Sequence, residues 1–141
     1  MGTGLKLTAG FSYSTNKDEI NNELQNGNNQ KQTIPDPILF AYKNFDITTY
    51  GNYANAKVVI EKRLSGLSAL RFGSEYNYSN DKTDVVFYNG KSSSAVKENI
   101  VSGFAEADIY ITNDIAAKIG TRAEHSSLLN KWNVAPRLSV A

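Results

Sequence analysis

Cysteine is absent from the 141 residues, so a disulfide scaffold and thiolate metal sites are excluded. The single histidine, His125, has no second imidazole or thiol with which to form a metal site or a catalytic triad. With 15 basic and 14 acidic residues, the net charge of +1 gives no electrostatic footprint for nucleic acid. We therefore expect no metal, no cofactor and no nucleic-acid partner.

Long apolar runs are also missing. No run approaches the roughly 20 residues that a membrane-spanning helix needs, and the mean hydropathy is −0.41. A membrane barrel is not excluded, because its strands alternate apolar and polar residues and their average is polar. No signal peptide opens the sequence. If the protein is exported, we expect its signal to lie outside these residues.

What the sequence does contain is an alternation of apolar with polar or small residues. A β-strand turns successive side chains to opposite faces, so period-two alternation predicts strands with one apolar and one polar face. The clearest segment is residues 5–14, and others run through residues 48–62, 67–79, 100–111, 115–123 and 134–140. The sequence predicts an all-β fold, an antiparallel meander of about six long strands. The longer ones suit a membrane crossing, which needs roughly 9–11 residues.

The predicted connections alternate in length along the chain. Long connections are predicted at residues 16–47 and 80–99, short ones at 63–66 and 112–114, and a medium one at 126–131. Membrane barrels alternate in this way, with short periplasmic turns and longer outer loops. Six strands do not readily close, since about eight is the usual minimum. The chain is therefore either part of a larger barrel or a soluble sheet of another kind.

Charged residues on the predicted strands fall on one face. Glu106 and Asp108 invite a two-carboxylate catalytic interpretation, but cross-strand charge pairs on a water-filled lumen explain them better. No phosphate-binding loop, G-x-S-x-G or H-E-x-x-H motif occurs, so we expect no enzyme activity. The predicted lumen-facing charges are Arg71, Glu75, Glu106, Asp108, Lys118, Arg122 and Glu124.

Aromatic residues in or next to the predicted long connections supply the other candidate site. They have two interpretations: a girdle at the level of the lipid headgroups, or a surface that contacts a sugar, siderophore or peptide. Girdle or loop packing is the preferred interpretation. The residues are Tyr42, Phe45, Phe87, Tyr88 and Trp132.

The last forty residues also carry a family pattern. Gly120, Arg122 and Glu124 form a Gly-x-Arg-x-Glu hairpin end, and Pro136 and Arg137 follow after a loop. In this pattern the chain resembles the barrel of TonB-dependent outer-membrane receptors. The resemblance implies that residues 1–141 are a single barrel segment. In that family a plug domain fills a 22-stranded barrel, and energy passed through TonB drives import. The plug and the remaining strands have no counterpart in these residues.

The resemblance implies a location in the bacterial outer membrane and several partners. These are the lipid bilayer, the remaining barrel and plug, TonB acting through the parent protein, and a small nutrient ligand such as a siderophore, glycan, vitamin or peptide. The alternative is a soluble β-sandwich or ligand-binding module of an exported protein. A sandwich predicts that one set of residues is buried against a second sheet: Leu5, Leu7, Phe11, Leu70 and Phe72.

Overall fold

The computed structural model describes residues 4–33, 36, 38, 43–64, 68–87, 90–110 and 115–140. They form one sheet whose strand order follows the chain, with antiparallel neighbours, so the predicted all-β meander is confirmed. The order is linear, which leaves β1 and β6 as the two edges. The strands are β1 Leu5–Asn22, β2 Phe45–Arg63, β3 Ala69–Phe87, β4 Gly90–Tyr110, β5 Ala116–Ser126 and β6 Lys131–Val140.

All six strands are longer than predicted, and the prediction of a long connection at residues 80–99 is wrong. β3 continues to Phe87 and β4 begins at Gly90, while β1 runs to Asn22 through residues predicted as loop. Polar residues occupy both faces of these extensions, so the alternation of apolar and polar residues that marks a half-buried strand is absent. Cross-strand polar contacts hold them instead. Thr49 and Thr83 share a hydroxyl hydrogen bond of 3.2 Å, and Ser93 donates to the Asp84 carboxylate.

The short turns were predicted to share one end of the sheet. Residues 65–66 and 112–114 of those turns lie outside the described residues. Antiparallel pairing in chain order nevertheless puts the β2–β3 and β4–β5 connections at a common end. The Leu64 amide donates to the Ser68 carbonyl at 2.9 Å, which brings the ends of β2 and β3 together.

Internal contacts divide the chain into two units. The first unit comprises Met1–Tyr13, Tyr53–Tyr78 and Glu98–Ala141, and the second comprises Ser14–Asn52 and Ser79–Lys97. The first unit contains all of β5 and β6, whereas the second contains only parts of β1 to β4. Among the residues that the structure describes, no helix is both long enough and apolar enough to cross a membrane.

One face of the first unit is apolar and uncovered. Phe11 and Leu138 are 74% and 73% exposed, and Ala69 is the buried hydrophobic residue among those described. The sandwich alternative is wrong on this point. Leu5, Leu7, Phe11 and Phe72 are all exposed and Leu70 is half-buried, with no second sheet among the described strands. The apolar face therefore needs an environment other than water or a protein core.

In the second unit, the start of the β1–β2 connection is a small hairpin. Gln25 and Lys31 form a bridge, and the Asn26 side-chain oxygen accepts from the backbone amides of Asn28 and Gln30 at 2.9 and 3.0 Å. These side-chain bonds add to the backbone bonds of the hairpin, in which the Asn26 amide donates to the Gln30 carbonyl at 2.9 Å. The Glu23 carboxylate hydrogen-bonds Lys31 and raises the pKa of its ammonium group. The predicted long loop is thus partly ordered by its own asparagines.

Gly73 of β3 makes room for an aromatic ring. A Cβ on Gly73 would overlap the ring of Phe104, which lies over the glycine from β4. The ammonium of Lys57 lies 5.9 Å from the centre of the same ring. Cross-strand covering of a glycine by an aromatic residue helps to fix strand register.

We expect the substitution Gly73→Ala to destabilise the folded sheet by about 1–3 kcal/mol, because the Phe104 ring must leave its position. Urea unfolding of the detergent-solubilised parent protein measures the effect. Gly10→Ala is the matched control, since no atom lies within 4 Å of the Cβ it would add. Equal effects of the two substitutions would show that the ring contact does not stabilise the sheet.

Candidate functional site

The charged face of the first unit brings the predicted charges together in ion pairs. Arg71 Nε lies 2.9 Å from Glu61 Oε2, and Arg71 Nη1 lies 2.6 Å from Asp108 Oδ2. Lys118 stands opposite Asp108 in the β4–β5 ladder, with Nζ 3.6 Å from Oδ1. These contacts put Arg71, Asp108 and Lys118 on one face of the sheet. Glu61 lies on the same face: alternation in β2 predicts it there, although it was not among the predicted lumen-facing charges.

A second group of charges centres on Arg122. Its Nη1 lies 3.4 Å from Glu75 Oε2 and its Nε lies 3.3 Å from Glu124 Oε2. The Asn55 amide donates to Glu75 Oε1 at 3.1 Å and to Asn77 Oδ1 at 2.6 Å. The sequence analysis missed Asn77 as a site residue, although period two from Arg71 and Glu75 reaches it.

The residues of the family pattern meet across β5 and β6. Gly120 pairs with Arg137 and Thr121 with Pro136. Arg137 Nη1 lies 3.2 Å from Glu106 Oε1. A Cβ on Gly120 would lie 2.8 Å from Glu106 Cγ, so the glycine leaves the space in which Glu106 reaches Arg137. Gly120 and Arg137 of the pattern thus lie in one cluster with Glu106 on the charged face, whereas Arg122 and Glu124 belong to the group with Glu75.

The chemistry available on this face is electrostatic. The carboxylates of Glu61, Glu75, Glu106, Asp108 and Glu124 each have a cation within 4.0 Å. No group of three or more metal-ligating side chains is found in the part of the chain that the structure describes. An arginine or lysine facing hydrocarbon costs about 2–4 kcal/mol at the bilayer midplane. This face therefore suits water or a polar protein surface, and the opposite face suits lipid.

An aromatic row crosses the apolar face of the first unit. Val101 pairs with His125 and His125 with Trp132, whose ring centre lies 5.0 Å from that of the histidine. Tyr76 reaches this level from β3, because its hydroxyl donates to Asn99 Oδ1 at 2.6 Å. Phe11 of β1 lies at the level of the same row. The Arg63 amide donates to the Gly4 carbonyl at 3.0 Å, which fixes the antiparallel register of β1 and β2, and this register brings Phe11 to the row. Tyr13 and Tyr78 are the next residues on the same face of β1 and β3.

Aliphatic residues fill the apolar face from this row to the ends of β5 and β6. From Trp132 to Val140, β6 spans eight residue steps, or roughly 26 Å along the strand. A tilt of about 40° reduces this to roughly 20 Å, close to the apolar band of about 25 Å in membrane barrels. Exposed members of this band include Val58, Ile60, Phe72, Ile109, Ile119, Val134, Leu138 and Val140.

The predicted aromatic candidates separate into two groups. Trp132 belongs to the aromatic row on the apolar face, 71% exposed, where a girdle residue is expected. Phe45 and Phe87 lie in the second unit and line a cleft with asparagine side chains. Tyr42 and Tyr88 lie outside the described residues. Phe11 and Tyr76 were missed as girdle residues, because they lie within predicted strands and girdle residues were expected in the long connections and their immediate neighbours.

A sheet with one charged face, and an opposite apolar face close in height to the apolar band of membrane barrels, has the composition of the wall of a transmembrane β-barrel. Residues 2–134 match the model of an outer membrane protein beta-barrel family, and the chain belongs to that family. Neither a curated protein nor a solved structure matches the chain significantly. The protein is located in the bacterial outer membrane, as predicted, and its environment is a lipid bilayer.

Trp132 offers a test of where the bilayer surface lies, because it is the chain's single tryptophan. In the parent protein, with any other tryptophan replaced by phenylalanine, we expect lipid-bound quenchers near the headgroups to quench it more than quenchers near the acyl-chain ends. The reason is that an indole prefers the membrane–water interface.

The matched control moves the indole to the middle of the band by combining Trp132→Phe with Phe72→Trp. Phe104 of β4 lies over Gly73 of β3, so antiparallel pairing puts Phe72 next to Ala105. Ala105 pairs with Thr121, and Thr121 pairs with Pro136, midway along the lipid-facing part of β6. The deep quencher should then be the stronger one. Deep quenching of Trp132 itself would contradict the assignment of the aromatic row to the interface.

Proposed function

We propose that this chain forms part of the barrel wall of a TonB-dependent receptor that imports a small nutrient ligand. The observation that carries the proposal is the joined cluster of Gly120, Glu106 and Arg137 on the charged face. The Gly-x-Arg-x-Glu and Pro-Arg segments on which the resemblance rests are neighbouring strands in the sheet. In this chain the side chain of Glu106, on the neighbouring strand β4, lies over Gly120 and reaches Arg137.

The charged face is the second line of support. Lys118 and Arg137 are long cationic side chains that are paired with carboxylates on this face. Such a network suits a lumen that is filled by water or by a polar plug domain. In the proposed receptor, the plug contacts this face and TonB acts on the parent protein through the plug.

No catalytic role is part of the proposal. Each of the carboxylates described on the charged face is paired with a cation. In the proposal, the ion pairs make the lumen wall polar and orient the surface that a plug contacts. Import then depends on movement of the plug rather than on chemistry at the barrel wall.

The proposal is tested by uptake in cells that carry the complete gene product. We expect strains with and without the gene to differ in accumulation of one member of a labelled panel containing a ferric siderophore, cobalamin, a neutral oligosaccharide and a peptide. The difference should disappear when TonB is deleted or the proton gradient is collapsed. In the strain in which only TonB is deleted, the amount of the barrel in the outer membrane is measured, as the control for its expression.

Two results would contradict the proposal. One is gene-dependent uptake that persists without TonB, which is the behaviour of a passive pore. The other is an unchanged uptake profile for the whole panel when the gene is removed, despite normal assembly of the protein in the outer membrane.

A further inference from the structure

A cleft of about 210 Å³ lies in the second unit where β1, β2 and β3 end or begin. Phe45 is the first residue of β2 and Phe87 the last of β3. The hydroxyl hydrogen bond between Thr49 and Thr83 fixes the offset of these strands, and the same offset puts Phe45 opposite Phe87. Phe87 remains 39% exposed. Phe45 and Phe87 therefore both contribute apolar surface to the cleft, and Phe87 is open to a ligand.

The asparagines of the cleft are held in place. The Asn21 amide donates to Asp46 Oδ1 at 2.5 Å, and the Asn22 amide donates to the Lys43 carbonyl at 3.1 Å. Each amide group is fixed by its nitrogen, and the oxygen at its other end takes no part in these bonds. The Asp46 carboxylate likewise has a second oxygen. Fixed acceptors beside an apolar surface suit a ligand that carries several hydroxyl donors.

The charge of the cleft disfavours anionic ligands among the nutrients that the proposed receptor could import. Lys31 is the cation of the lining, and it is already paired with Glu23 at 2.5 Å. Asp46 adds a further negative charge to the lining. Phosphates, carboxylates and anionic metal chelates are bound by arginine or lysine groups, whereas this lining would repel them. A neutral ligand is favoured.

We propose that this cleft binds one unit of a neutral carbohydrate. The C–H face of the sugar ring stacks on Phe45 and Phe87, and a hydroxyl group of the sugar donates to Asn22, which lies on the same face as Phe45, while the Asn21–Asp46 pair holds the ends of β1 and β2 together. An aromatic surface with a few fixed polar groups is the usual composition of small-molecule sites. The cleft is smaller than the roughly 300 Å³ at which drug-sized sites begin, so it accommodates one sugar unit of a longer chain. The role of the site as the first contact of an imported glycan rests on the proposed function.

Binding to the parent protein in detergent tests the inference, with a panel of neutral oligosaccharides built from glucose, mannose, galactose and xylose and one sialylated oligosaccharide. We expect binding of at least one neutral compound, and weakening by about tenfold or more in Phe45→Ala and in Phe87→Ala, since truncating a central aromatic contact costs that much. Phe45→Tyr and Phe87→Tyr should retain binding, because the stacking face is kept.

Tyr50→Ala is the matched control, an exposed aromatic of the same unit that is not part of the cleft lining. The inference is overturned if no neutral oligosaccharide binds to protein that unfolds cooperatively. It is also overturned if the alanine variants bind as well as the unchanged protein, or if the sialylated compound binds more tightly than its neutral counterpart.

Uptake separates this inference from the proposed function. Oligosaccharide binding that depends on Phe45 and Phe87, combined with TonB-independent accumulation, would uphold the site and contradict the receptor. TonB-dependent import of a siderophore that is unaffected by Phe45→Ala and Phe87→Ala would uphold the receptor and contradict the carbohydrate site.

Discussion

An arginine in place of Ile119 is expected to lower the stability of the membrane-inserted protein by about 2–4 kcal/mol, the cost of that charge near the bilayer midplane of a barrel. Ile119 is 50% exposed on the apolar face. It pairs with Ala107 and Leu138 in the neighbouring strands, within the aliphatic band. Neither of these ladder neighbours carries a carboxylate, so the desolvation of a guanidinium at this position is not offset.

The adjacent residue supplies the matched control. Lys118 precedes Ile119 on β5 and its ammonium lies 3.6 Å from Asp108 on the charged face. Lys118→Arg keeps the charge and its partner, and a change within about 0.5 kcal/mol is expected, as for most surface substitutions. Reversible urea unfolding in lipid vesicles measures both variants. If Ile119→Arg proved as mild as Lys118→Arg, the assignment of the apolar face to lipid would be contradicted.

The polypeptide of 141 residues, expressed by itself, is expected not to persist as a monomer in water without detergent. Its sheet has edges at β1 and β6, and each edge leaves a row of backbone groups without a strand partner. Pro136 removes one donor from β6, but a single proline does not protect a whole strand.

The apolar face adds a second driving force for association. Leu5, Leu7 and Phe11 on β1 are 73%, 65% and 74% exposed. Each Å² of such surface left in water forgoes about 25 cal/mol of hydrophobic free energy. Closure of the barrel with further strands pairs the two edges, and lipid covers the apolar face.

Sedimentation velocity of the refolded chain decides between the outcomes. We expect broad, fast-sedimenting species without detergent and a smaller, uniform protein–detergent particle above the critical micelle concentration. A sharp species at the monomer mass of 15.5 kDa, unfolding cooperatively without detergent, would contradict the barrel-wall interpretation of the sheet.

Period-two alternation determined the strand class and the faces of the first unit. Arg71, Lys118 and Arg122 could be assigned to one face and Phe72 and Ile119 to the other before any coordinates, because neighbouring residues on a strand point in opposite directions. The family pattern in the last forty residues pointed to an outer-membrane barrel, and the family match agrees with that coarser statement.

The ends of the strands were not predictable in the same way. β3 and β4 continue through polar residues as far as Phe87 and from Gly90, where neither face has to be apolar. Strand formation there depends on pairing with a neighbouring strand, as between Thr49 and Thr83. The pairing partner is distant in sequence, so the local pattern of residues does not predict it.

What the sequence by itself determined about this protein is the alternation, and with it an all-β sheet with an apolar and a charged face. Only the tertiary structure decided which residues share a level across the sheet. It brought Phe11, Tyr76 and Trp132 into one row and set Glu106 over Gly120 beside Arg137. The physical reason is that side-chain direction follows from chain geometry alone, whereas register is fixed by contacts between strands that are distant in sequence.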